Sequence, residues 1–212
     1  MRNLVVCADG TWNTPEQKEN DIPVPTNVVK IFNCVAKRDE EAKEQPKYYH
    51  PGVGTDGRWW QKLAGGSVGV GLGKNIRSAY KWLCDNYRPG DRIFLFGFSR
   101  GAYTVRCLAG MIGRCGLLDP SGLDESQIWS RIKTAYDNGY RKRKEKEEWA
   151  KEWAFHKEEK MECEDGNKRS FIPIHFLGVW DTVGALGIPN NFAILNLLDN
   201  LREYSFHDTA LG

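Results

Sequence analysis

An α/β fold built on a parallel sheet covered on both faces is what this sequence predicts, and three observations predict it. Short apolar strand-like runs and amphipathic helices alternate strictly from Asn3 to Cys115. One strand is joined to the next helix by the turn Gly97-Phe98-Ser99-Arg100-Gly101, a G-x-S-x-G match in strand-turn-helix context. At 212 residues the chain suits one α/β domain with a sizeable core and is too short for two comfortable ones, so 1–212 is read as a single unit.

Asn3 to Ala8 reads as a buried strand, followed by the turn Asp9-Gly10-Thr11-Trp12-Asn13 and a polar, proline-punctuated loop through Pro25. Thr26 is placed to N-cap a helix whose Val28, Val29, Ile31, Phe32 and Val35 follow a 3.6-residue period. Lys47-Tyr48-Tyr49-His50 is a second short strand, and a glycine-rich segment from Gly65 to Gly73 precedes a helix from about Lys74 to Tyr87. Pro89-Gly90-Asp91 then ends that helix before the run Arg92 to Phe96, the serine turn and a helix to about Cys115.

From Asp119 to Arg169 the character changes and no strand pattern appears. Arg141 to Lys160 is dense in both charge signs, with Trp149 and Trp153 one helical turn apart. Two readings stay open for it: a solvated helical excursion carrying i, i+4 ion pairs, or a helical cap insertion over about 119–169 with the tryptophans facing substrate or a membrane interface. A strand from Ser170 to Val179 then delivers Trp180-Asp181-Thr182-Val183-Gly184 to the same sheet edge as Ser99, and Asn190 to Tyr204 is an apolar helix.

Composition excludes several classes. Lys plus Arg of 30 against Asp plus Glu of 28 leaves a net charge of +2, which gives nucleic acid no electrostatic footprint. The apolar run at the N-terminus is too short for a signal peptide, and no run approaches 18 apolar residues, so a cytoplasmic protein without its own export signal is expected. Six scattered cysteines without a C-x-x-C pair read as free thiols in a reducing compartment. Gly69-Val70-Gly71-Leu72-Gly73-Lys74-Asn75 fails the phosphate-loop spacing at Val68 and Asn75, and no strand feeds it directly as a dinucleotide fold requires. No cofactor or metal is expected.

The chemistry converges on Ser99. A serine held in a sharp strand-to-helix turn exposes its Oγ at the carboxyl edge of the sheet, and glycines two positions away on each side prevent clashes. The Arg100 backbone N–H at the helix start is a candidate oxyanion donor, with Gly10 and Thr11 after the first strand as the second source and Asp9 placed to lock that loop. Asp181 fits the carboxylate that orients a histidine base, or else simply caps a turn. Of the four histidines only His207 follows Asp181, the chain order of a serine hydrolase triad, although it follows a helix and not a strand.

Four blocks carry a family resemblance: Cys7-Ala8-Asp9-Gly10-Thr11-Trp12-Asn13, Tyr49-His50-Pro51-Gly52-Val53-Gly54-Thr55, Gly97 to Arg106 and Gly178 to Gly184. In this order they resemble the uncharacterised α/β-hydrolase family that contains the phospholipase effectors of bacterial type VI secretion. The resemblance implies an α/β-hydrolase-like parallel sheet with a helical cap, Ser99 as nucleophile and Asp181 as triad carboxylate. It also implies a lipid or other ester substrate, peripheral membrane contact through the cap, delivery by a secretion system, and a secretion apparatus or immunity protein as partner. Phe206-His207-Asp208-Thr209-Ala210-Leu211 looks like a family segment other than the catalytic one. The family's triad histidine sits in a later Trp-Phe-x-Gly-x-His-type block that this sequence does not contain. The expectation is therefore the N-terminal part of a longer hydrolase lacking its last strand or strands, with a catalytically incomplete fragment or pseudo-hydrolase acting as a binding module as the alternative.

Overall fold

The computed structural model describes residues 1–10, 15–16, 18–52, 68–156, 159–162 and 168–180. Four parallel strands form the sheet: β1 (Asn3–Ala8), β2 (Lys47–His50), β3 (Arg92–Phe98) and β4 (Ile174–Trp180), in the order β2-β1-β3-β4. Ala8 lies beside His50 on one side and Gly97 on the other, while Gly97 and Phe98 pair with Val179 and Trp180. The carboxyl ends of all four strands are therefore level.

This strand order dictates where the helices lie. Right-handed crossovers that step in opposite directions along a sheet place their helices on opposite faces. The β1-to-β2 step carries α1 (Asn27–Cys34), whereas the return step to β3 and the next step to β4 carry α2 (Val68–Asn86) and α3 (Arg100–Cys115). Side-chain packing agrees: Leu4, Val6, Ala8, Ile93 and Leu95 join the α2 and α3 core, and Val5 and Cys7 pack with Val28 of α1. Thr26 caps α1 by accepting from the Val29 N–H at 3.1 Å, as its position predicts.

Three expectations need correction. First, α2 begins at Val68 and not near Lys74, so Gly69, Gly71 and Gly73 are helical. Low helix propensity marks glycines as loop, but a Cβ at Gly73 would lie 3.0 Å from the Tyr136 hydroxyl, so packing demands a small residue there. Second, the chain does make strands within 119–169. Glu159–Glu162 and Lys168–Phe171 pair as an antiparallel hairpin, and the sheet strand starts only at Ile174 because Pro173 has no N–H for a ladder.

Third, the tryptophans do not face outward. After α3 come α4 (Glu125–Thr134), a π-helical stretch (Ala135–Arg141) and the single turn α5 (Lys146–Trp149). Trp149 is buried edge-on to Trp153 at 5.5 Å and to Phe155 at 6.3 Å. A Cβ on Gly139 would come within 2.5 Å of the Trp149 ring and 2.8 Å of Cys115 Sγ, so this indole is seated against the end of α3. Trp153 is covered by the Arg131 guanidinium, 5.1 Å from its ring centroid. The charges that make this segment look solvated lie around an aromatic cluster that belongs to the main core.

Candidate active site

The chain reverses direction at Ser99, between the end of β3 and the first residue of α3. Ser99 takes φ 51° and ψ −119°, a left-handed backbone that costs a non-glycine residue about 1–3 kcal/mol. Neighbours hold it there. Its N–H donates to the Trp180 carbonyl at 2.9 Å, continuing the β3–β4 ladder, and its carbonyl accepts from the Tyr103 N–H at 3.2 Å.

Both flanking glycines are sterically required. A Cβ at Gly97 would lie 2.6 Å from Ala102 Cα and from the Gly101 carbonyl oxygen. One at Gly101 would collide with the Ala8 carbonyl oxygen and come within 2.7 Å of the Asp9 carbonyl oxygen. The start of α3 is thus pressed directly onto the carboxyl end of β1, and the serine turn and the Asp9-Gly10 loop are immediate neighbours. β1 and β3 are also the pair from which the crossovers diverge, which is where open parallel sheets bind ligands.

Asp9 anchors the β1 loop. It is 4% exposed, and its Oδ1 accepts from the Gly10 N–H at 2.8 Å while Oδ2 accepts from the Thr26 and Tyr49 hydroxyls, each at 2.8 Å. One carboxylate therefore joins the end of β1, the cap of α1 and strand β2. Burial, and then the bond to Asp9, hold the Tyr49 hydroxyl well above the ordinary tyrosine range. The Cys7 thiol is pushed up to about 12, mainly by burial and then by the Asp9 charge, so it stays protonated. The position of Asp9 was legible in the Asp-Gly turn; Thr26 and Tyr49 as its partners were not, because a hydroxyl at the start of the next helix or on the neighbouring strand, forty positions later, leaves no local signal. Tyr49→Phe is expected to lower stability by about 1.5–3 kcal/mol, the scale of a hydrogen bond to a charged group. Urea denaturation measures this, and an unchanged midpoint would show the contact to be dispensable.

Ser99 and Arg100 stand at the turn and at the first residue of α3. The Gly10 N–H is engaged by Asp9 in this structure. Thr11, Asp181 and His207 lie outside the described residues, with Trp180 the residue that leads to Asp181. The other histidines sit elsewhere. His156 Nε2 contacts the Cys84 carbonyl at 2.9 Å, near the far end of α2, and His175 lies edge-on to Phe94 at 5.1 Å early in β4. His50 does reach the carboxyl edge, but β1 separates it from β3 by two strand spacings, about 10 Å. Its Nδ1 donates to the Pro51 carbonyl at 2.6 Å, and burial lowers its pKa. Among the described residues no group of three or more His, Cys, Asp or Glu could hold a metal ion, and no helix is long and apolar enough to cross a membrane.

A strained serine thus stands between two sterically required glycines at the carboxyl edge of a parallel sheet, in an α/β architecture. The family model described as "T6SS, Phospholipase effector Tle1-like, catalytic domain" matches residues 2–212, and the chain belongs to this family. It is also 35% identical over 204 residues to the uncharacterized protein YEL023C of Saccharomyces cerevisiae (strain ATCC 204508 / S288c). That alignment covers 88% of this chain and 27% of the yeast protein, so the chain spans about a quarter of that relative's length. No solved structure matches.

Proposed function

We propose that this chain carries the nucleophile of a serine ester hydrolase of the α/β-hydrolase type, acting on a phospholipid or a similar carboxylic ester. The observation that carries the reading is the Ser99 backbone, strained at φ 51° and ψ −119° between two glycines that no other residue could replace without displacing backbone. Family membership supplies the substrate class. Delivery by a type VI secretion system and an immunity partner rest on family membership alone.

In this reading Ser99 Oγ attacks the ester carbonyl carbon while its proton passes to a histidine base. The tetrahedral oxyanion is held by the Arg100 N–H and by a donor from the loop after β1. With Gly10 donating to Asp9, Thr11 is the better candidate for that second donor. Collapse expels the alcohol, protonated by the histidine, and leaves an acyl group on Ser99; water then releases the acid and restores the serine. Asp181, one residue after the strand whose Trp180 carbonyl binds the Ser99 N–H, is the carboxylate that orients the base. His207, or a histidine of a following segment, is that base.

A fluorophosphonate probe tests the assignment. The protein is expected to label, and Ser99→Ala to abolish labelling. Labelling that survives the substitution would remove Ser99 from the role.

A further inference from the structure

We propose that the groove between α2 and α4 is a docking site for the surface of an anionic phospholipid bilayer. Lys74, Arg77, Trp129, Ser130 and Lys133 line this concavity of about 590 Å³. No acidic side chain contributes to the lining. Among the described residues neither Lys74 nor Arg77 takes part in an ion pair, whereas Lys133 is held by Asp137 at 2.6 Å and Lys81, beside the groove, by Asp85 at 2.7 Å. Arg77 Nε donates to the Gly73 carbonyl at 3.1 Å and its guanidinium lies 5.6 Å from the Tyr136 ring centroid, while Glu125 pairs with Lys81 at 3.3 Å. Among the described residues Lys74 and Arg77 are thus the lining cations without a carboxylate partner, and this excess of positive charge fits an anion.

Its other feature is an exposed indole. Trp129 is 37% exposed, one of few large apolar side chains so placed among the described residues, and its Nε1–H is satisfied by Glu125 at 2.9 Å. Lys81 Nζ stands 5.9 Å from its ring centroid. A partly exposed indole among lysine and arginine stems is suited to the boundary between headgroups and acyl chains, where the ring enters the interface and the cations meet phosphates.

Position favours the same occupant. α2 runs antiparallel to the strands it connects, so Lys74, in its first half, lies toward the carboxyl edge of the sheet where Ser99 stands, and Arg77 is at its midpoint. The Lys74 charge is close enough to His50, at the end of β2, to act on its titration. A bilayer engaged by this groove would meet the edge that carries the nucleophile. The tryptophans expected to make membrane contact from sequence, Trp149 and Trp153, pack with the core, whereas Trp129, given no role by the sequence pattern, is exposed among the described tryptophans.

The inference rests on the reading of the chain as a phospholipid hydrolase, but binding is measured without turnover, so the two fail separately. Co-sedimentation would be run with vesicles of phosphatidylcholine alone and of phosphatidylcholine with phosphatidylglycerol at about 7:3, using the intact protein, Lys74→Gln/Arg77→Gln, and Lys142→Gln/Lys144→Gln in the exposed basic run. A cation near an anionic surface contributes about fivefold, so the groove variant is expected to lose roughly tenfold to thirtyfold in partitioning to the anionic vesicles, and the basic-run variant less than threefold. Should the groove variant fail to fold, Ser130→Glu, at an exposed position of α4, places a repelling charge in the same groove. Absence of binding by the unmodified protein, or equal losses in both double variants, would overturn the groove as the docking site.

Discussion

Replacing Ser99 by alanine is expected to lower ester turnover by roughly 10⁶-fold, the scale seen when a serine hydrolase loses its nucleophile. The loss should fall on kcat, because the hydroxyl contributes a bond made only during reaction. The fold should survive: alanine at φ 51° keeps the strain already present in serine, and the hydroxyl makes no capping bond to α3 that the substitution would remove. Turnover measured beside a thermal melt separates chemistry from folding. A drop of less than tenfold in a folded variant would mean that another group performs the attack.

Gly101→Ala is expected to have the second largest effect, on stability. Its Cβ would meet backbone, with the Ala8 carbonyl carbon at 2.5 Å and the Asp9 carbonyl oxygen at 2.7 Å, so no rotamer change relieves the clash. The start of α3 must lift from the end of β1, at a cost of about 4 kcal/mol, or roughly 10 °C in Tm for a chain of this size. Gly113→Ala in the same helix is the control, since a Cβ there meets nothing within 4 Å and the helix gains up to about 1 kcal/mol from alanine. The same substitution, twelve residues further along one helix, should therefore change sign. Equal melts for the two variants would show that the close approach at Gly101 is not held in solution.

Much of the site's frame was legible because it is written in local pattern. β1 and β2 fall on their predicted residues, α3 ends at Cys115, and the need for Gly97 and Gly101 follows from the turn alone. What the sequence did not reveal depends on contacts made at a distance. Gly73 read as loop because the reason for it, the Tyr136 hydroxyl close above it, comes from a segment more than sixty positions later. Trp149 and Trp153 read as outward because their neighbours in sequence are charged, while Cys115 and Gly139, which seat Trp149, are neighbours only in space. The clamp on Asp9 likewise draws Thr26 and Tyr49 from separate elements. Periodicity reports which way one element faces; it carries nothing about which hydroxyl reaches a carboxylate across the sheet.

A covalent acyl-enzyme on Ser99 is the intermediate on which the proposed reaction depends, and it can be captured. The protein would be mixed with a slowly deacylated ester, quenched in acid within the first turnovers, digested and read by mass spectrometry. An added acyl mass is expected on the peptide containing Gly97-Phe98-Ser99-Arg100-Gly101, with fragment ions placing it on Ser99 and no adduct in Ser99→Ala. Hydrolysis that proceeds with no acyl adduct, or with the adduct on any other residue, would contradict it.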